Sequence, residues 1–275
     1  MVTRNDISSA IRRLGVVPGD ICLFHSSFKS LGPVEGSAES VIGGFEDVLG
    51  PEGTLVVPTL CQRDFDHVYE NWHLDAPSDV GYLTNYFRKL PGALRSDQAT
   101  HSVAARGKLA YELTKEHGAY GLRLCPYGMT AFADSSPWAK MYHRHAKTVF
   151  LGVTMRYNTV KHMLEGWYVE ELLASIREDA TQQELRAQLR SYENGRVGVW
   201  PYYNGLDMQY YLESLGLVTQ TACGNATLYC VDMKEASDAA LDAIRSDPQR
   251  WYEGENLTWI QTCKAAAQSS NNMCK

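Results

Sequence analysis

A histidine and a glutamate three residues apart, in the run GVTMRYNTVKHMLEGW at 152–167, are the residues of this chain best suited to acid–base chemistry. Asn158, His162 and Glu165 recur at i, i+4 and i+7, which puts them on one face of a helix. A carboxylate three residues from a histidine can accept one ring N–H, fix the tautomer and raise the basicity of the other nitrogen. The apolar run TVFLGV at 148–153 reads as a strand just before this segment. Open α/β sheets bind ligands beyond the carboxyl ends of their strands, which suits the position. The same spacing also describes a polar stripe on a surface helix with an ordinary side-chain hydrogen bond.

A second segment, HSSFKSLGPVEG at 25–36, follows another apolar run. Small hydroxyl residues and glycines after a strand let backbone N–H groups approach a ligand, although they also make ordinary turns. Neither a phosphate-binding GxxxxGK[ST] loop nor a dinucleotide-binding GxGxxG is present, and no GxSxG elbow marks a serine hydrolase. A third segment, RSDQATHSVAARG at 95–107, brings His101 and Ser102 to the start of a short apolar strand. His143 and His145 would point apart on a helix and lack Cys or Asp partners at ligand spacing, so no metal is expected. The polar and aromatic stretch 61–78 is long for a connection in a compact domain. Its Asp64, Asp66, Glu70 and Asp75 either attract a cationic substrate or form a solvated face.

The elements that must position these residues alternate in type. Thr3 and Asp6 form a capping box before Ile7, Ala10, Ile11 and Leu14 at helical spacing. Strands are expected at 20–25, 54–58, 102–105, 148–153 and 226–231, and 195–203 is expected to be extended. Helices are expected after a Ser37 cap through Leu49, around 82–90 and 108–117, from Pro137, from about Asn158, and at 207–215 and 236–244. The pattern indicates a three-layer α/β/α fold around a mixed, largely central sheet, and one domain over residues 1–275.

Composition narrows the partners. The 275 residues carry 26 basic and 32 acidic side chains, a net charge of −6, which argues against nucleic acid or an acidic membrane surface. No apolar stretch approaches the ~20 residues that span a bilayer, and the opening MVTRNDISSAIRRLG lacks the apolar core of a signal peptide. Seven cysteines without a CxxC pair read as reduced thiols, so a cytoplasmic location is expected.

Taken together, the motifs and their order resemble the aminoglycoside 3-N-acetyltransferase family. HSSFKSLGPVEG is similar to the family's HSS-x-x-SLG-x-V-x-G, and PEGTLVVPT at 51–59 to its G-x-EGTL-x-x-PT. PSDVGYLTNYFRKLPGALRS at 77–96, THSVAARG, SSPWAKMYHRHAKTVFLGV at 135–153 and NTVKHMLE at 158–165 resemble its later motifs, the last being NT-x-x-H-x-x-E. The resemblance spans roughly residues 1–170. It implies the three-layer fold, acetyl-CoA as acyl donor, and a primary amine as acceptor, first of all an aminoglycoside 3-amino group in antibiotic resistance. The alternatives are an acyl-CoA-dependent transferase for another amine in natural-product biosynthesis and a non-catalytic CoA-binding relative. The resemblance further implies His162 as general base, Glu165 as its orienter, Thr159 as oxyanion donor and Asn158 beside them. It implies Ser26, Ser27, Leu31, Gly32 and Val34 on the pantetheine side, with Ser102 and Val103 on the opposite wall. A homodimer is compatible with it. One departure stands out: the family's RS-x-HP is replaced by Arg95-Ser96-Asp97-Gln98-Ala99, at a place the resemblance assigns to the donor or acceptor wall.

Overall fold

Alternation along the central strands decides the architecture. In β1 (Ile21–Ser26), Ile21 and Leu23 join one buried cluster while Cys22 and Phe24 join another. In β2 (Thr54–Pro58), Val56 points to the first cluster and Leu55 and Val57 to the second. Successive strand side chains face opposite sides, so a strand apolar at every position needs cover on both faces. The computed structural model describes residues 1–65 and 67–272.

The remaining strands are β3 (Leu94–Arg95), β4 (Val103–Gly107), β5 (Lys147–Leu151), β6 (Thr219–Cys223) and β7 (Ala226–Asp232). They form one seven-stranded sheet in the order β3-β4-β2-β1-β5-β7-β6. β2, β1 and β5 run parallel at its centre, with His25 opposite Phe150, while the flanking pairs are antiparallel. One face is covered by the helices Arg4–Arg13, Ser37–Leu49 and Tyr82–Phe87. The other is covered by Pro137–His143, Lys161–Ala174, Gly205–Ser214, Met233–Ser246 and Gly254–Asn272. This is the expected three-layer mixed α/β fold. Phe45, fully buried and stacked on Phe24 with ring centroids 4.6 Å apart, typifies the packing. Truncating such a ring to Ala costs roughly 3–5 kcal/mol.

Several boundaries differ from the sequence reading. The capping box at Thr3 is present, and Ser136 caps the helix that Pro137 opens. Gly36 rather than Ser37 is the cap of the second helix, and Ser37 takes a positive φ of 56°. The helix expected at 108–117 is only Ala110–Thr114, because Glu116 adopts φ 59° and the chain turns. That turn lets His117 bridge Ser96 Oγ at 2.9 Å and the Ala131 carbonyl at 3.0 Å. The helix expected from Asn158 begins at Lys161, so Asn158 precedes the helix rather than sharing its face. Gly195–Tyr203 forms only isolated bridges, Leu189 to Val199 and Ser191 to Arg196.

Candidate active site

Beyond the carboxyl ends of the three parallel strands lies a cavity of about 1040 Å³. Each strand delivers a short stretch of its wall. β1 contributes His25 and Ser26 and the following Ser27, the chain after β2 contributes Leu60 and Gln62, and the segment after β5 runs from Val153 to His162. The first loop is locked to the end of β5. Ser27 N–H donates to the Leu151 carbonyl at 2.9 Å, and Ser30 Oγ to that of Gly152 at 3.1 Å. Gly152 sits at φ 64°, and a Cβ there would lie 2.5 Å from Ser30 Cβ, so only glycine fits this junction.

The turn into the helix Lys161–Ala174 uses the NT of NTVKHMLE. Asn158 Oδ1 accepts the Val160 N–H at 3.1 Å, and the Thr159 carbonyl accepts the His162 N–H at 3.2 Å. In the first turn of this helix His162 Nδ1 lies 2.8 Å from Glu165 Oε2. Glu165 is fully buried, and its other oxygen accepts the Tyr203 N–H at 3.3 Å. An ionised carboxylate can only accept, so Nδ1 carries the proton and Nε2 keeps its lone pair. The imidazole is bracketed by Tyr127 at 5.1 Å, Tyr202 at 5.7 Å and His101 at 6.1 Å between ring centroids. It is 15% exposed and lines the cavity. This is the geometry of a held general base.

Two further histidines line the cavity. His101 is completely buried, and burial, then the neighbouring His162 and His117, holds its pKa well below the ordinary range. Burial lowers that of His25 to about 4, and its Nε2 has no hydrogen-bond partner among the described residues.

The structure gathers Ser26, Ser27, Asn158, Thr159 and His162 around the cavity, with Glu165 directly behind His162. The other expected site residues lie elsewhere. Leu31 is buried in the core, and its carbonyl accepts the Asn225 N–H. Gly32 faces the Asn225 side chain, and Val34 forms a bridge with Val2. These three residues therefore hold the loop to the rest of the fold rather than forming the cavity wall. Ser102 is buried between Thr59 and Arg95, and Val103 in the core, so His101 forms the wall in their place. Asp64, Glu70 and Asp75 are exposed outside the lining, Asp64 being paired with His67 at 3.0 Å; Asp66 lies outside the described residues. Gln98 is not a wall residue either. Its Oε1 accepts the Thr100 N–H at 2.9 Å and also the His101 N–H, so the amide that replaces the expected histidine folds the turn presenting His101. Sequence reasoning passed over Lys29, Gln62, Asp79, Arg156 and Lys161, all of which line the cavity. Lys29 stands within HSSFKSLG and Asp79 within PSDVG, so the signal was inside motifs already singled out.

The family model described as Aminoglycoside 3-N-acetyltransferase matches residues 23–245. The chain belongs to the aminoglycoside 3-N-acetyltransferase family. Among curated members of that family, it is 31% identical over 183 residues to an aminoglycoside N(3)-acetyltransferase III from Salmonella sp, covering 60% of this chain and 61% of that protein. It is 28% identical over 183 residues to an aminoglycoside N(3)-acetyltransferase IX from Micromonospora chalcea, covering 60% and 62%. The match thus spans about three fifths of the length of these relatives. Two solved structures carry the same fold. One is the apoenzyme of aminoglycoside acetyltransferase AAC(3)-IVa, with TM-score 0.69 and 21% identity over 94% of this chain and 97% of that one. The other is AAC-IIIb as its binary complex with CoASH, with TM-score 0.69 and 18% identity over 92% and 98%. The helix Gly254–Asn272 lies beyond the part of the chain that the family model matches.

Proposed function

We propose that this chain transfers the acetyl group of acetyl-CoA to a primary amine, first of all the 3-amino group of an aminoglycoside. The observation that carries the reading is His162, backed by a fully buried Glu165, on the wall of a cavity at the carboxyl ends of parallel strands. At about 1040 Å³ the cavity is at the upper end of the ~300–1,000 Å³ usual for ligand sites, which suits two substrates side by side. Lys29, Arg156 and Lys161 on its wall suit the donor's phosphates.

In this reading the acceptor reacts as the neutral amine, its ammonium proton already lost to water because an ammonium has no lone pair to offer, and His162 Nε2 accepts the N–H proton released as the nitrogen adds. The nitrogen adds to the thioester carbonyl, and Glu165 stabilises the imidazolium as it forms. Thr159 lines the cavity, and its hydroxyl has no hydrogen-bond partner among the described residues, which suits it to donate to the oxyanion. Collapse breaks the C–S bond, and the proton held on His162 passes to the departing thiolate. The products are an amide and a thiol. We read residues 1–275 as one acetyltransferase domain, because strands from residues 21 to 232 share one sheet. We assign the reaction to the cytoplasm. No helix among the described residues is long and apolar enough to cross a membrane.

A second acceptor class, a small amine of low charge, is favoured by one observation. Asp79 is the one carboxylate among the described residues lining the cavity, against three cationic side chains. The test incubates the purified chain with acetyl-CoA, gentamicin, apramycin and a set of small amines, following thiol release and product mass. Acetylated gentamicin or apramycin is the expected result. Acetylation of small amines alone would move the assignment to the second class, and no transfer to any amine would overturn the activity.

A further inference from the structure

Gln62 and Asp79 line the cavity but take no part in the proton transfers above. They are tied together. Gln62 N–H donates to Asp79 Oδ2 at 2.6 Å, Arg63 N–H donates to the same oxygen at 2.9 Å, and Asp79 N–H donates to the Leu60 carbonyl at 2.9 Å. Two backbone donors on one oxygen fix the carboxylate plane. Among the described residues the other oxygen meets only the Arg63 guanidinium, 3.5 Å away on a side chain that is 83% exposed. Asp79 Oδ1 therefore keeps acceptor capacity for a ligand.

The Gln62 side chain is oriented by a chain of proton assignments. Thr100 has one hydroxyl proton, and the Tyr127 carbonyl lies 2.9 Å from its oxygen. With that proton donated, Thr100 Oγ1 accepts from His101 Nδ1–H at 2.9 Å. His101 is buried and neutral, so its Nε2 carries no proton and accepts the Gln62 Nε2–H at 3.1 Å. Gln62 Oε1 is left as an acceptor, on a residue of the cavity wall.

We propose that Gln62 and Asp79 form the subsite that selects the acceptor, Asp79 Oδ1 taking an ammonium and Gln62 Oε1 a hydroxyl or second N–H. The amine that reacts gives up its proton to His162, so the ammonium held by Asp79 is a different one. The subsite therefore fits hydroxylated amines with at least two amino groups. It rests on the acetyl-transfer reading and deepens it. Lys29, Arg156 and Lys161 repel such a ligand, so Asp79 supplies the attraction within the cavity.

The test uses the full chain saturated with CoA and gentamicin as probe, in calorimetry and in steady-state transfer. In Asp79→Asn the amide oxygen still accepts the two backbone N–H groups, so the loop is retained; Gln62→Leu is the second variant. Asp79→Asn should weaken gentamicin binding about 10- to 100-fold, the usual loss for a charge-assisted hydrogen bond, and Gln62→Leu about 3- to 10-fold, that of a neutral one. The acceptor KM should rise in proportion, while CoA affinity stays within about threefold. The affinity of the wild-type chain should also fall with ionic strength. Equal binding by folded variants, or no binding by the wild-type chain, overturns the subsite. Binding that weakens as expected, without acetyl transfer by the wild-type chain, supports the subsite and overturns the activity.

Discussion

Among the described residues two pairs join a histidine to a carboxylate three residues away, and they differ in burial and surroundings. Asp64 and His67 lie 3.0 Å apart in the 61–78 segment, with side chains 62% and 60% exposed. His162 and Glu165 lie 2.8 Å apart, with side chains 15% and 0% exposed. In the first pair water competes for every donor and acceptor, and salt screens the attraction. In the second a backbone N–H and four nearby rings leave the carboxylate and imidazole little freedom. Spacing proposes a catalytic pair, but burial and a position at the carboxyl ends of parallel strands decide between candidates.

The comparison is sharpest in the acid partners. Glu165→Gln should lower kcat by ~10²–10⁴, because an amide N–H facing Nδ1 favours the opposite tautomer. CoA affinity should stay within about threefold by calorimetry. Thr159→Val should lower kcat by ~10²–10³ if its hydroxyl meets the oxyanion. Asp64→Asn should change kcat less than about twofold in the same assay. A large loss there with an intact fold would erase the distinction between the pairs.

Buried histidines also predict a pH dependence of stability. Burial lowers His25 from 6.5 to about 4, so the unfolded chain binds the extra proton first. The stability that follows from this is present above about pH 6.5 and is lost as pH falls toward 4. His25 alone gives a slope of ~1.4 kcal/mol per pH unit in that window. His117, half-buried and also lowered to about 4 chiefly by desolvation, adds a slope of the same sign. Denaturant unfolding at pH 7, 6 and 5 measures it, and His25→Leu should flatten the curve.

The sheet centre and the pairing of His162 with Glu165 were legible because local signals and tertiary need agree there. β1, β2 and β5 are apolar throughout, and NTVKHMLE carries its own spacing. β6 escaped because TQTAC is an edge strand with one buried residue. The helix Asp179–Ala187 escaped because only Leu185 is buried. Leu31, Gly32 and Val34 lie off the cavity lining, a placement sequence could not show because a glycine that meets Asn225 and a glycine that meets a ligand look alike in sequence. Asp79 was passed over because acids are counted along the chain, whereas Asp79 is brought to the cavity wall by the path of the loop in space.

The central claim is that His162 takes the proton from the amine. Steady-state transfer from acetyl-CoA by a folded His162→Ala variant that still binds CoA tests it directly, with His67→Ala as the matched control. The account predicts a loss of ~10²–10⁴ in kcat for the first and less than about twofold for the second. Turnover by His162→Ala within about threefold of the unmodified chain would contradict it.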